Sequence, residues 1–190
     1  MKCEIIAVGS EMLTPYRQDT NSLYLTGKLN EIGVTVVFKT IVGDRRKDLV
    51  GAIQTALGRV DVLVLMGGLG PTEDDLTREA TAEALSLKLR RDGAQLAALH
   101  ARAATWRMPM PENNLKQADV IETAAILPNP NGSAPGQWLD ATYNNYRKIV
   151  MLVPGPPTSR ASRRALLQGG PPTPRRAARR LPCWSWSRAA

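Results

Sequence analysis

Val60-Asp61-Val62-Leu63-Val64-Leu65-Met66 runs straight into Gly67-Gly68-Leu69-Gly70-Pro71-Thr72 and then Glu73-Asp74-Asp75. Seven residues with one charge among them, rich in valine and leucine, suit a strand covered on both faces, as in a parallel sheet. The glycines and Pro71 end it in a turn, and the pattern that follows, with Ala80, Ala84 and Leu87 at helical spacing, predicts a helix over 76–87. Working outward, Glu4-Ile5-Ile6-Ala7-Val8, Val34-Thr35-Val36-Val37-Phe38 and Lys148-Ile149-Val150-Met151-Leu152-Val153 have the same character and predict three more strands. Leu25, Leu29 and Ile32 mark a helix over 21–32 stopped by Gly33, Leu49, Ile53 and Leu57 a helix over 46–57, and 91–107 reads as another. Strand, helix, strand, helix, strand, helix implies βαβ crossovers and a three-layer α/β/α sandwich on a mostly parallel sheet.

The chemistry is expected at the carboxyl ends of those strands, where open α/β sheets bind ligands. Glycines in a strand-to-helix turn let backbone N–H groups approach a phosphate, and the helix N-terminus adds a favourable dipole. A tight turn with no ligand would use the same residues, and the absence of a following Lys-Ser/Thr pair excludes a Walker loop. Glu73, Asp74 and Asp75 are expected at the helix start, where a carboxylate caps backbone N–H groups. Three in a row beside a phosphate cradle suggest a divalent cation such as Mg²⁺, held by Asp74 or Asp75, offsetting the diphosphate charge. Gly9-Ser10-Glu11 after the first strand, Gly43-Asp44 after the second and Pro154-Gly155 after the last converge on the same rim. Ser10 could donate to phosphate and Glu11 or Asp44 could orient water; Asp44 could equally be a helix N-cap. His100 reads as a surface histidine, Cys3 as packing, Trp106 and Trp138 as core or rim, and Arg45-Arg46-Lys47 as a solvated face.

The chain has 190 residues and a formal net charge of +8, which would ordinarily direct attention to nucleic acid or a membrane surface. Eight of its arginines, however, lie in 158–190, which contains no acidic residue; without them 17 basic residues face 17 acidic ones. The body is neutral, so nucleic acid is not an expected partner, leaving only the reading of the tail as a nucleic-acid arm with Trp184 and Trp186 stacking on bases. Two cysteines and one histidine exclude a disulfide framework and a His-rich zinc site. With no membrane-length apolar run and no signal sequence, a soluble cytoplasmic protein is the expectation. The domain is placed at 1–157. The Arg/Ala/Pro/Gly-rich 158–190 reads as disordered, with the composition of a GC-rich reading frame translated out of register.

Residues 1–157 resemble the N-terminal domain of the CinA family (competence/damage-inducible protein A), of the MogA/MoeA-like molybdopterin-binding fold. The motifs that carry the resemblance are Ala7-Val8-Gly9-Ser10-Glu11-Met12-Leu13, Asp19-Thr20-Asn21-Ser22, Val42-Gly43-Asp44, the glycine turn through Leu76-Thr77, and Asn113-Asn114-Leu115-Lys116-Gln117-Ala118. They continue with Pro128-Asn129-Pro130-Asn131-Gly132-Ser133-Ala134-Pro135-Gly136 and Pro154-Gly155-Pro156-Pro157. The resemblance implies a metal-dependent pyrophosphatase acting on ADP-ribose, or a molybdopterin- or nucleotide-binding module without catalysis. On it, Gly67, Gly68, Gly70 and Thr72 would hold phosphate, Asp44, Asp74 and Asp75 would be the acidic residues, and Asn129, Gly132 and Gly136 join the ligand-binding candidates. A small nucleotide or pterin ligand and a homo-oligomer are expected. Family members continue past Pro157 into an amphipathic helix and commonly a deamidase-like domain, and neither pattern follows here.

Overall fold

A computed structural model of the chain describes residues 1–105, 110–129 and 132–155. A six-stranded sheet forms its centre. Its strands are β1 (Lys2–Val8), β2 (Thr35–Val42), β3 (Val62–Met66), β6 (Ala125–Leu127), β7 (Gly136–Tyr143) and β8 (Tyr146–Val153), in the spatial order β2-β1-β3-β8-β7-β6. The contacts β2/β1, β1/β3 and β3/β8 are parallel, whereas β7 runs antiparallel to both neighbours. Two three-residue strands, β4 (Leu89–Arg91) and β5 (Asp119–Ile121), form a separate antiparallel pair. The helices are α1 (Thr20–Glu31), α2 (Arg46–Arg59), α3 (Thr77–Ala84) and α4 (Gly93–Thr105).

Alternation along the strands sorts their side chains into two cores. Ile6 and Val8 of β1 and Leu63 and Leu65 of β3 pack with Leu49, Ile53 and Leu57 of α2 and Ala80 of α3. The intervening Cys3, Ile5, Ala7, Val62, Val64 and Met66 pack with Leu29 of α1 on the other face. Helices on both faces make the three layers, as the alternating pattern predicted. Each such Leu or Ile gains about 1.5–3 kcal/mol relative to exposure, and β3, buried at all five positions, is the strand with the most to lose from a slip in register.

Several expectations need correction. β2 is an edge strand, not one covered on both faces: Val37, Phe38 and Ile41 are all exposed. Its partner β1 carries Glu4, fully buried, which accepts from Arg59 Nε and Nη2 at 2.9 and 2.7 Å and from the Thr40 hydroxyl at 2.7 Å. Burial of a carboxylate is tolerable because its oxygens are matched by a charged fork and a hydroxyl. β4, β5 and β6 escape the sequence reading because three residues are too few to show a period. β7 and β8 close through Asn144 and Asn145, both at positive φ (49° and 66°), the conformation a two-residue hairpin turn demands. Segment 158–190, with Trp184 and Trp186, lies outside the described residues, as do Trp106, Pro130, Asn131, Pro156 and Pro157.

Candidate functional site

The sheet order puts β1 between β2 and β3, so the connections from β1 and β2 leave in opposite directions and a crevice opens at the carboxyl ends of β1 and β3. Every strand-end segment singled out in the sequence reaches this rim: Gly9-Ser10-Glu11 after β1, Gly43-Asp44 after β2, the glycine turn after β3 and Pro154-Gly155 after β8. Because β6 runs in the same sense as β8, the loop from Pro128 to Pro135 opens on it too.

At the glycine turn, Gly67 and Gly68 have φ of +103° and +64°. A Cβ on Gly67 would lie 2.4 Å from the Val8 carbonyl oxygen, and one on Gly68 2.2 Å from Thr77 Oγ1. Four successive carbonyls are then drawn into the protein. Thr77 Oγ1 donates to Gly67 O at 2.7 Å and Thr77 N to Gly68 O at 3.1 Å. Arg78 Nη1 donates to Leu69 O at 2.8 Å and Nη2 to Gly70 O at 3.1 Å. With the carbonyls turned inward, no acceptor among the described residues meets the N–H groups of Gly68, Leu69 and Gly70. Consecutive amides without a protein acceptor are the raw material of anion-binding nests.

Arg78 is an unanticipated member of this site. It is fully buried, makes no ion pair among the described residues and leaves its Nε without a partner. Burial pulls its pKa down, against the opposing pull of Glu79, Asp75 and Asp119. It lies off the stripe of Ala80 and Ala84, so helical periodicity gave no sign of it. Lys116, from the Asn-Asn-Leu-Lys-Gln stretch, is the second: its Nζ donates to Thr72 O and Asp75 O, both at 2.8 Å, and fastens the far end of the turn.

The acidic residues divide. α3 begins at Thr77 with Leu76 as its N-cap, so Glu73, Asp74 and Asp75 precede the helix in the turn and are not its caps. Asp75 Oδ2 accepts from Thr72 N at 2.9 Å and Thr72 Oγ1 at 2.6 Å, which closes the loop on itself. Asp74 is exposed and has no partner among the described residues. Asp44 is not an N-cap either, since Arg45 holds that position. Its Oδ2 accepts from Ser10 N at 2.8 Å, and Ser10 Oγ accepts from Asp44 N at 3.1 Å, a reciprocal pair that ties the ends of β1 and β2 together. Glu11 folds back over Gly9, whose φ is +148° and whose Cβ would stand 2.5 Å from Glu11 Oε2.

The structure gives the remaining candidates tasks of packing. Asn129 Nδ2 donates to Ala134 O at 2.9 Å, and a Cβ on Gly132 would fall 2.3 Å from that same nitrogen. Gly136 opens β7, buried against Leu152 O. Gly155 lets the end of β8 approach Gly67, its Cβ position being 3.2 Å from the Gly67 Cα. His100 is exposed and Trp138 packs against the α1-side core. Cys3 is buried, its thiol pushed up to about 12 by desolvation and the Glu4 charge.

Among known proteins, the model of the probable molybdopterin binding domain matches residues 4–167. The fold carries the comparison to solved structures as well: CinA of Thermoplasma acidophilum superposes with a TM-score of 0.75 at 30% identity, over 88% of this chain and 94% of that one. The chain belongs to the CinA family. A CinA-like protein of Acidobacterium capsulatum is 63% identical over 158 residues, which are 83% of this chain and 38% of that protein. This CinA-family chain therefore spans under two-fifths of the length of that curated relative. The molybdopterin biosynthesis enzyme MoaB of Thermus thermophilus, at 18% identity and a TM-score of 0.53 over 87% of this chain and 86% of that one, shares the fold. No described helix is long and apolar enough to cross a membrane.

Proposed function

We propose that the rim binds the diphosphate of a nucleoside diphosphate-sugar, ADP-ribose or a close relative, and hydrolyses its anhydride with the help of a divalent cation. One observation carries this reading: the amides of Gly68, Leu69 and Gly70 have no acceptor among the described residues, while their carbonyls are taken by Thr77 and Arg78. They are donors in search of an anion, which a mere connecting turn would leave to water.

The donor set suits Mg²⁺. Asp74 and the second oxygen of Asp75 supply at most two carboxylate ligands, and no group of three His, Cys, Asp or Glu side chains is gathered among the described residues. Mg²⁺ is commonly held by one or two carboxylates with phosphate oxygens and waters completing its shell. When bound it would neutralise diphosphate charge and lower the pKa of a water. Asp44, fixed by Ser10 N, or Glu11, folded over Gly9, would orient the attacking water and accept its proton.

Loss of Mg²⁺-dependent AMP release from ADP-ribose is expected in the Asp74→Ala, Asp75→Ala double variant, with Asp74→Ala alone keeping the wild-type melting temperature because Asp74 anchors nothing. Undiminished turnover in the double variant overturns the assignment. A second reading, a nucleotide- or molybdopterin-binding module without hydrolysis, is favoured by the prior engagement of Asp44 and Asp75 with Ser10 and Thr72. The same assay separates the two, since a binder is stabilised by ADP-ribose and forms no AMP.

A further inference from the structure

Arg78 carries a charge that the hydrogen bonds of the turn do not account for. Its guanidinium is fully buried, yet among the described residues no carboxylate forms an ion pair with it. Burial pulls its pKa down against three nearby acids, each engaged elsewhere. Asp119 forks with Arg91 at 2.8 and 3.1 Å, Asp75 accepts from Thr72, and Glu79 leans on Lys116 at 3.6 Å. Two of the guanidinium nitrogens go to backbone carbonyls, and buried Nε meets no partner at all. A buried cation held by neutral oxygens alone is destabilising, and a neutral donor would hold the same carbonyls with a smaller penalty.

The carbonyls show where that charge acts. Every described peptide bond is trans, so the N–H of each unit points away from the oxygen of the same unit. The unit whose oxygen is Leu69 O carries the Gly70 N–H, one of the three amides without an acceptor. Neutral Thr77 holds the oxygens of the units that carry the Gly68 and Leu69 N–H groups. A cation at one end of a peptide unit polarises it and makes the N–H at the other end a stronger donor. We infer that Arg78 is the charge-selecting residue of the turn: its counterion is the bound ligand, one peptide unit away, so the turn discriminates among anions by charge as well as by shape. The inference rests on the phosphate reading of the turn and deepens it, because a diphosphate brings more negative charge than a carboxylate or a sulfonate. Across about 10 Å at an effective dielectric constant of about 20, each unit of ligand charge shifts affinity on the order of tenfold.

Amide-resolved NMR titration of the full chain with sulfate and with methanesulfonate tests this, in metal-free buffer so that ligand charge is not masked. The two anions offer similar oxygens with two negative charges and with one, and inorganic pyrophosphate serves as a third probe. In the wild type, sulfate should displace the Gly68, Leu69 and Gly70 resonances and bind on the order of tenfold more tightly than methanesulfonate. Arg78→Gln, which keeps a donor for a carbonyl and removes the charge, should bring that ratio severalfold closer to one. Arg78→Lys, which keeps the charge and loses the fork, should preserve the ratio even where both affinities fall. Loss of the ratio in folded Arg78→Lys, or equal weakening of both anions in Arg78→Gln, overturns the charge role and leaves Arg78 a prop of the backbone. A wild-type ratio near one overturns it whether or not either variant folds. Pyrophosphate shifts at the three amides uphold the turn in all these cases, whereas no response to any of the three anions overturns the turn and the charge role together.

Discussion

Two segments that the sequence marks with glycine and proline end at the same rim, the turn at 67–75 and the described residues of the loop at 128–136. They differ in where their backbone groups point. In the first, Gly67 and Gly68 adopt positive φ, Thr77 and Arg78 hold the carbonyls, and three N–H groups have no acceptor among the described residues. In the second, the glycines serve the loop itself. Gly132 makes room for Asn129, Gly136 lets β7 lie against β8, and the loop's carbonyls are taken by Asn129 at Ala134 and by Arg102 at Gly132. Gln117, buried, donates to Ser133 Oγ at 3.0 Å and pins the loop from below. Richness in glycine marks a shaped loop; which backbone groups are left without a partner distinguishes the two.

The comparison can be broken at three points. Gly67→Ala should have the largest effect, about 3 kcal/mol or more of stability, because the new Cβ meets a strand carbonyl at 2.4 Å that cannot move without disturbing β1. Urea unfolding would show it, and pyrophosphate binding should vanish with it. Arg78→Met should follow at about 2 kcal/mol, the cost of two carbonyls losing their donors, partly offset by removal of a buried charge. Its distinguishing outcome is a loss of pyrophosphate affinity at temperatures well below the variant's melting point; unchanged affinity would show that the amides hold their direction without the guanidinium. Gly132→Ala should be the mildest at about 1 kcal/mol, since the contact is the movable end of Asn129, and its pyrophosphate affinity should equal the wild type's. A larger loss there than at Gly67 would reverse the assignment of the two loops.

Much of this arrangement was legible beforehand. Asp44, Ser10, Gly67 and Gly155 could be brought to one rim because parallel strands present all their carboxyl ends on one side, so strand identity and order of elements suffice. What could not be read were Arg78 and Lys116. Each acts through a contact with a segment removed from it along the chain: Arg78 with carbonyls eight and nine residues back, Lys116 with carbonyls 41 and 44 residues away. Periodicity reports which face of a helix is apolar and is silent about a charged side chain buried among backbone oxygens.

Local pattern, then, was enough to specify the layers, the parallel core strands and the rim on which the candidate residues meet, because apolar alternation and glycine's backbone freedom act within a few residues. Tertiary structure alone decided that β2 stands open at the sheet's edge, that Asp75 closes its own loop while Asp74 meets no partner among the described residues, and that the amides of Gly68, Leu69 and Gly70 are left without an acceptor there. Those outcomes depend on which donors reach which carbonyls across the fold, and hydrogen bonds between segments far apart in the chain are settled only when the chain has packed.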